Sequence, residues 1–301
     1  MAVAHSRYPE SGVVAVDAEK CNHCGVCVRT CPVGVLAMED GEVVQQAGDF
    51  GCVACAHCMM VCPTGSITVS GRGAAPGDVR ELPPVGERAT ARGLAALLRG
   101  RRSVRQFSAR EVERSVLEEI VELAATAPMG LPPWDIGCVV VQGREAVQRL
   151  AARIVEGYAG LPRVFSPAVL TLMRPFWGRV MCEQFRTFVV PLAESLVKHR
   201  AAGKDALFWD APALLIFHCS PYAQVEDAAI TCTYAMLAAE SHGLGSTMIG
   251  SAGPILQRNA KLAREYGIPD GHKAGLVLIL GYPAVKFQRT VQRRFLDVHW
   301  A

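Results

Sequence analysis

The chain has 301 residues, half of them hydrophobic and a fifth charged, enough to bury a sizeable core as one large or two unequal domains. A formal net charge of +3 falls far short of the dense basic face of a nucleic-acid-binding domain, and no stretch reaches the roughly 18 consecutive apolar residues of a membrane span. The opening residues lack the apolar run of a signal peptide, so neither nucleic acid nor membrane is expected as a partner, and the expected compartment is the cytoplasm.

Eight of the twelve cysteines fall within an internal repeat: Cys21-Asn-His-Cys24-Gly-Val-Cys27-Val-Arg-Thr-Cys31-Pro32 returns as Cys52-Val-Ala-Cys55-Ala-His-Cys58-Met-Met-Val-Cys62-Pro63. In a reducing compartment such density points to metal ligation rather than disulfides. At this spacing three thiolates can wrap the corners of a cubane while the fourth reaches across to a second cubane. Cys21, Cys24, Cys27 and Cys62 are therefore expected to hold one 4Fe-4S cluster, and Cys52, Cys55, Cys58 and Cys31 the other. Zinc is the competing reading, but four-ligand zinc sites use two cysteine pairs and leave the third cysteine of each run idle. The segment resembles a bacterial-type ferredoxin with two 4Fe-4S clusters, and residues 1–70 are expected to form that small domain.

Residues 71–92 are rich in Gly, Pro and charge and read as a linker. From 93 to 301 helical and extended patterns alternate. Ser108 and Glu111 spell a capping box ahead of Val112, Val116, Ile120 and Leu123 at helical spacing. Further helices are expected near 146–158, 179–201, 227–242 and 254–266, and buried strands at 136–142, 212–219 and 275–281. Helices outnumber strands, which predicts an α+β domain around one sheet.

Three motifs punctuate this larger part. Arg101-Arg102-Ser103-Val104-Arg105 packs three arginines and a hydroxyl into five residues. The run from Gly243 to Gly250, Gly-Leu-Gly-Ser-Thr-Met-Ile-Gly, follows a helical stretch and permits close backbone approach. Leu280-Gly281-Tyr282-Pro283 is followed by Lys286, Arg289, Arg293 and Arg294. In this order, with Ala211-Pro212 opening a central strand, they resemble the nitroreductase family. Taken alone, the first motif also reads as a solvated basic turn and the last as a generic basic tail.

The resemblance implies an FMN domain. Forked guanidinium donors suit a phosphate and the polar edges of a flavin, which assigns Arg101, Arg102, Ser103 and Arg105 to the cofactor. It also implies that Ile249 and Gly250 meet the flavin near its N5 and O4 edge, that Arg289 and Arg293 close on the phosphate, and that Pro128, Met129 and Gly130 line the flavin. A homodimer with FMN at the subunit interface is implied as well. The segment Ala127-Pro128-Met129-Gly130-Leu131-Pro132-Pro133-Trp134-Asp135 lacks the Asn and Gln of many members, and Thr233-Tyr234 replaces a frequent Gln-Asn pair. The acceptor is therefore expected to differ from the usual nitroaromatic or quinone. Phe176, Trp177, Phe208 and Trp209 are candidate pocket walls or simple core.

A 4Fe-4S cluster passes one electron at a time, whereas FMN can gather two and release them as a hydride. The expected flow runs from a ferredoxin-like electron donor protein, or from NAD(P)H, through the clusters and FMN to an electron-poor small-molecule acceptor. Flow in the opposite direction and a non-catalytic carrier or sensor are the rival readings. No carboxylate, His or Tyr has a context that marks it as a catalytic acid.

Overall fold

The computed structural model describes residues 7–47, 51–130 and 134–300, so Leu131, Pro132 and Pro133 of the altered segment lie outside the described residues. The chain divides into two compact units. One comprises Met1–Arg88, Pro128–Ile136 and Ser220–Asp227; the other comprises Ala89–Ala127, Gly137–Cys219 and Ala228–Ala301.

The first unit is a duplicated element. Strand β1 (Val13–Val16), helix α1 (Val26–Thr30), β2 (Leu36–Glu39), β3 (Glu42–Gln45), α2 (His57–Val61) and β4 (Ile67–Ser70) follow in chain order. Strands β1 and β4 pair antiparallel from Val13↔Ser70 to Val16↔Ile67, and β2 and β3 from Leu36↔Gln45 to Glu39↔Glu42. Each short helix is entered through a left-handed residue, Gly25 (φ 64°) or Ala56 (φ 61°), and left through a cysteine, Cys31 (φ −66°) or Cys62 (φ −71°). His23 (φ 55°) and Ala54 (φ 56°) match in the same way. The sequence repeat is thus also a repeat of backbone conformation. Val35, Leu36, Val43, Ile67 and Val69 form its core together with Cys27, Cys52 and Cys58.

Residues 71–92 hold two single-turn 3-10 helices, Pro76–Asp78 and Val85–Glu87. Arg72 is buried there and donates to the carbonyls of Tyr8 (2.8 Å) and Glu10 (3.3 Å). The remaining elements are α3 (Ala91–Gly100), α4 (Arg114–Ala125), β5 (Ile136–Gln142), α5 (Arg144–Tyr158), α6 (Leu161–Val164), α7 (Pro167–Gln184), α8 (Val190–Ala201), β6 (Ala213–Cys219), α9 (Val225–Ser241), β7 (Gly245–Ile249), α10 (Ala252–Arg258), α11 (Ala260–Glu265) and β8 (Lys273–Gly281). The sheet order is β5-β6-β8-β7, with β8 antiparallel to both its neighbours. Every residue of β6 is buried, which accounts for its apolar run from Ala213 to Phe217 ahead of His218. Val147, Leu150 and Ile154 of α5 share one core with Leu214, Ile216, Val277 and Ile279 of the sheet. Among the described residues no helix is long and apolar enough to cross a membrane.

Four local expectations are corrected. Ser108 caps nothing: its N–H donates to the carbonyl of Tyr282 at 2.8 Å, and α4 starts six residues later behind Glu113. The Glu113 carboxylate accepts from Arg110 and from the Tyr282 hydroxyl, both at 2.7 Å, and these bonds hold it down at about 2. The helix expected over 179–201 is interrupted by a π-helical turn at Phe185–Val189, and α7 itself breaks at Gly178 (φ 76°). The helix expected over 254–266 is two helices, because Asn259 (φ −117°, ψ 78°) ends α10 and its side chain accepts from the Leu262 N–H to cap α11. Finally, the glycine run contains a strand, β7, beyond the three strands the sequence predicts.

Candidate functional site

In the first unit all eight predicted ligand cysteines are free thiols. Cys27, Cys52 and Cys58 are buried, Cys24 is exposed, and the others are half-buried. Burial pushes the Cys27 thiol up, with added repulsion from Cys62 and Cys24. The Cys58 thiol is pushed up to about 11 by burial and by Cys52, Cys55 and Cys31. The charge neighbours of these thiols therefore fall into two groups, one drawing on Cys62 and the other on Cys31. Among the described residues no three His, Cys, Asp or Glu side chains gather tightly enough for a single metal ion. Buried thiols crowded against one another stay protonated unless a polycationic group compensates them, which fits this unit to a cluster. Cys62 differs from its counterparts. Burial would raise it, but hydrogen bonds with Ser66 (3.3 Å) and Thr64 (3.5 Å) outweigh burial and bring it to about 6.

In the second unit the arginine motif lies along β7. Ser103 bridges Ser246 in parallel, the Val104 N–H donates to the Ser246 carbonyl (3.0 Å), and the Thr247 hydroxyl donates to the Val104 carbonyl (2.7 Å). Gly245 is required for this approach, since a Cβ there would stand 2.5 Å from Val104 Cγ2. The Ser246 Oγ beneath is buried with no hydrogen-bond partner among the described residues.

On one side of this segment a cavity of about 590 Å³ is lined by Arg99, Arg101, Arg102, Thr290 and Arg293. Arg102 also donates to the Thr290 hydroxyl. Burial lowers the Arg101 guanidinium, Glu240 opposes that, and Arg293 and Arg102 add repulsion. Arg101 and Arg102 thus share one carboxylate while Arg293 adds a third cation beside Arg101, and burial of Glu240 raises that carboxyl in turn. Such a surplus of forked donors suits an anion with several acceptor oxygens. A second cavity, also about 590 Å³, takes in Arg105, Ile249 and Gly250 beside Phe185, Phe188 and Trp209. The Arg105 guanidinium lies 5.1 Å from the centre of the Trp209 ring. From Arg102 to Arg105 the chain spans at most roughly 10 Å. One short run therefore connects a cationic cavity with an apolar, aromatic one, the polarity of a flavin mononucleotide from phosphate to ring.

The other predicted positions are placed differently. Arg289 is exposed and lines neither cavity, and Pro128, Met129 and Gly130 belong to the first unit. Of the four aromatics, Trp209 alone reaches a cavity. Phe208 is fully buried core, Phe176 is 81% exposed, and Trp177 packs on Phe165 and Phe185. Phe185, Phe188, Tyr158 and Arg258 line the second cavity without any signal in the sequence, because α5, the π turn and α10 are far apart in the chain. A histidine pair was also missed: buried His218 and half-buried His272 face each other, Nδ1 to Nδ1, at 2.9 Å.

Comparison with known proteins agrees with this division. Residues 98–282 match the model of the nitroreductase family, and residues 13–63 match a 4Fe-4S dicluster domain. The fold is similar to an FMN-bound nitroreductase from Desulfitobacterium hafniense, at TM-score 0.52 and 20% identity over 69% of this chain and 97% of that one. An FMN-bound nitroreductase from Bacteroides fragilis is similar at TM-score 0.50 and 21% identity, over 69% and 98%. A ferredoxin from Methanothermococcus thermolithotrophicus is 40% identical over 58 residues, 19% of this chain and 95% of the ferredoxin. An indolepyruvate oxidoreductase subunit from Methanothermobacter thermautotrophicus is 36% identical over 81 residues, and there the chain spans only 13% of the relative's length.

Proposed function

This chain belongs to the nitroreductase family, and we propose that it is an iron-sulfur flavoprotein taking single electrons from an external ferredoxin-like donor and passing them in pairs to an electron-poor organic acceptor. The observation that carries this reading is the Arg102–Arg105 run on β7, with a guanidinium-rich cavity at one end and an aromatic one at the other. Arg101, Arg102 and Arg293 would hold the phosphate of FMN, Ser103 and Arg105 its polar edges, and the Ile249–Gly250 backbone its ring. Cys21, Cys24, Cys27 and Cys62 would hold one 4Fe-4S cluster, and Cys52, Cys55, Cys58 and Cys31 the other. Bound there, the clusters supply one-electron transfer and the flavin supplies hydride transfer.

The side chains do the rest. The arginines balance the charge of the phosphate and fix its orientation. Phe185, Phe188 and Trp209 give the cavity beside Ile249 and Gly250 an aromatic wall, and a cavity of this size favours an enzyme that binds its acceptor over a bare electron carrier. Pro128, Met129 and Gly130 would line the flavin, and Arg289 receives no contact in this reading. A homodimer is supported by apolar side chains left open in the second unit: Phe295 and Trp300 are 86% and 90% exposed, and Leu296 fully so.

Anaerobic purification with iron, sulfide and flavin quantified tests the proposal. The expected result is about eight iron atoms and one FMN per chain, with clusters reduced before or alongside the flavin when reduced ferredoxin is supplied. Iron without flavin overturns the flavin assignment. Reduction by NAD(P)H but not by ferredoxin reassigns the donor, and a flavin potential below that of the clusters reverses the direction of flow.

A further inference from the structure

Among the described residues Arg72 is the only arginine or lysine that is buried, at 4% exposure. It stands just past β4, in a left-handed conformation (φ 52°), within the stretch whose composition reads as a linker. A guanidinium keeps its charge at any working pH, and burying one is costly unless acceptors and negative charge surround it. The carbonyls of Tyr8 and Glu10 supply part of that, accepting from one of its terminal nitrogens at 2.8 and 3.3 Å. The segment they begin leads straight to a cluster cysteine. The Ser11 hydroxyl accepts from the Cys52 N–H at 2.8 Å, the Gly12 N–H donates to the Cys52 carbonyl at 2.8 Å, and a Cβ on Gly12 would stand 3.1 Å from the Cys52 sulfur. Gly71, the chain neighbour of Arg72, approaches the same glycine, since a Cβ added there would lie 3.7 Å from the Gly12 Cα.

Charge follows the packing. Arg72 favours a charged sulfur on Cys52, and Cys52 favours the charged guanidinium more strongly than Asp135 does. The Asp135 carboxylate is itself paired with Arg7 at 2.8 Å, which leaves the charge of Arg72 to the sulfur. In the other set of cysteines, Cys62 meets the hydroxyls of Ser66 and Thr64 at 3.3 and 3.5 Å, and a full buried charge outweighs two such dipoles. A cluster gains negative charge with each electron, so a fixed cation beside it favours the reduced state. Resting on the cluster assignment above, we propose that Arg72 directs electrons between the two clusters: its charge raises the potential of the one held by Cys52, Cys55, Cys58 and Cys31 above that of its neighbour, and an electron from the donor settles there. That reduction adds one electron and moves no proton, because the guanidinium is charged before and after.

An EPR-monitored reductive titration of the full, cluster-loaded chain tests this, with iron and sulfide counted first. The wild type is expected to show two steps. Arg72→Gln should lower the upper step at least about tenfold in its reduction equilibrium, which is about 59 mV for one electron, and leave the lower step in place. Arg72→Lys should keep most of the wild-type value. Ser66→Ala, beside Cys62, marks the other cluster and should move the lower step. Equal movement of both steps in Arg72→Gln, movement of neither, a shift in Arg72→Lys as large as in Arg72→Gln, or Ser66→Ala acting on the upper step overturns the inference. If Arg72→Gln fails to take up its clusters, the comparison of wild type with Ser66→Ala still decides, since it alone shows which cluster is the upper one. A single unresolved step in a chain carrying about eight irons overturns the inference alone. An iron content of about half that, or none, overturns the two-cluster reading and the inference with it.

Discussion

Among the left-handed residues of the cysteine-rich unit, His23 and Ala54 occupy matched positions, as do Gly25 and Ala56, and three of these four carry a Cβ: His23, Ala54 and Ala56. For an L-residue this conformation costs roughly 1–2 kcal/mol, so the repeat tolerates strain to swing its thiols inward. Ala56→Gly is expected to raise stability by about 1 kcal/mol, read from the denaturant midpoint of the cluster-loaded protein; an unchanged or lower midpoint would refute the strain. The hydroxyls on Cys62 favour negative charge on its sulfur. Ser66→Ala should therefore lower the potential of one cluster only, visible in an EPR-monitored titration, and equal movement of both clusters would refute it. A third residue-scale effect lies at His218, which is 6% exposed. Burial, then repulsion from His272, bring it down to about 4 from an ordinary value near 6.5. Between those values the unfolded chain binds the extra proton, so stability falls as pH drops from about 6.5 to 4, by about 3 kcal/mol over the whole window. Thermal melts across this range should be steeper for the wild type than for His218→Asn, and parallel curves would sink the assignment.

At the scale of elements, β7 does two things that neither its length nor its propensity announces. It closes the sheet against β8 and offers its other edge to Ser103. Two glycines bracketing it separate packing from ligand approach. Gly245→Ala drives a methyl into Val104 and should cost about 1–3 kcal/mol, since nothing there is free to yield. At Gly250 the nearest atom to an added methyl would be Leu276 Cδ2 at 3.8 Å, so Gly250→Ala should fold normally and yet bind FMN more weakly. Flavin content and melting temperature of the two variants would show whether the split holds. Helix α7 makes a similar point. Its break at Gly178 and the π turn after it carry Phe185 and Phe188 to the cavity wall, a placement that helical periodicity across 179–201 could not have shown.

For the whole molecule, the exposed apolar residues of the C-terminal segment are the feature least compatible with an isolated chain. Leu296→Asp is expected to weaken self-association at least about tenfold, because a buried unpaired carboxylate must be desolvated. Sedimentation of wild type and variant at matched concentration checks it, and a wild type that is already monomeric would remove the dimer from the proposal.

The sequence by itself determined the parts whose chemistry is written in spacing and composition. The cysteine repeat needs fixed offsets for its thiols to converge, the arginine cluster sits within five residues, and the apolar run Ala213–Phe217 of β6 records burial on both faces. Such signals are local, so no tertiary information is needed to read them. What the tertiary structure alone decided is whatever depends on partners distant in the chain. Tyr282 takes the Ser108 N–H and moves the start of α4, Val104 makes Gly245 obligatory, and Tyr158, Phe185 and Arg258 meet around one cavity. Those choices are set by long-range contacts and hydrogen bonds, whose energies override local propensity and leave no periodic trace in the sequence.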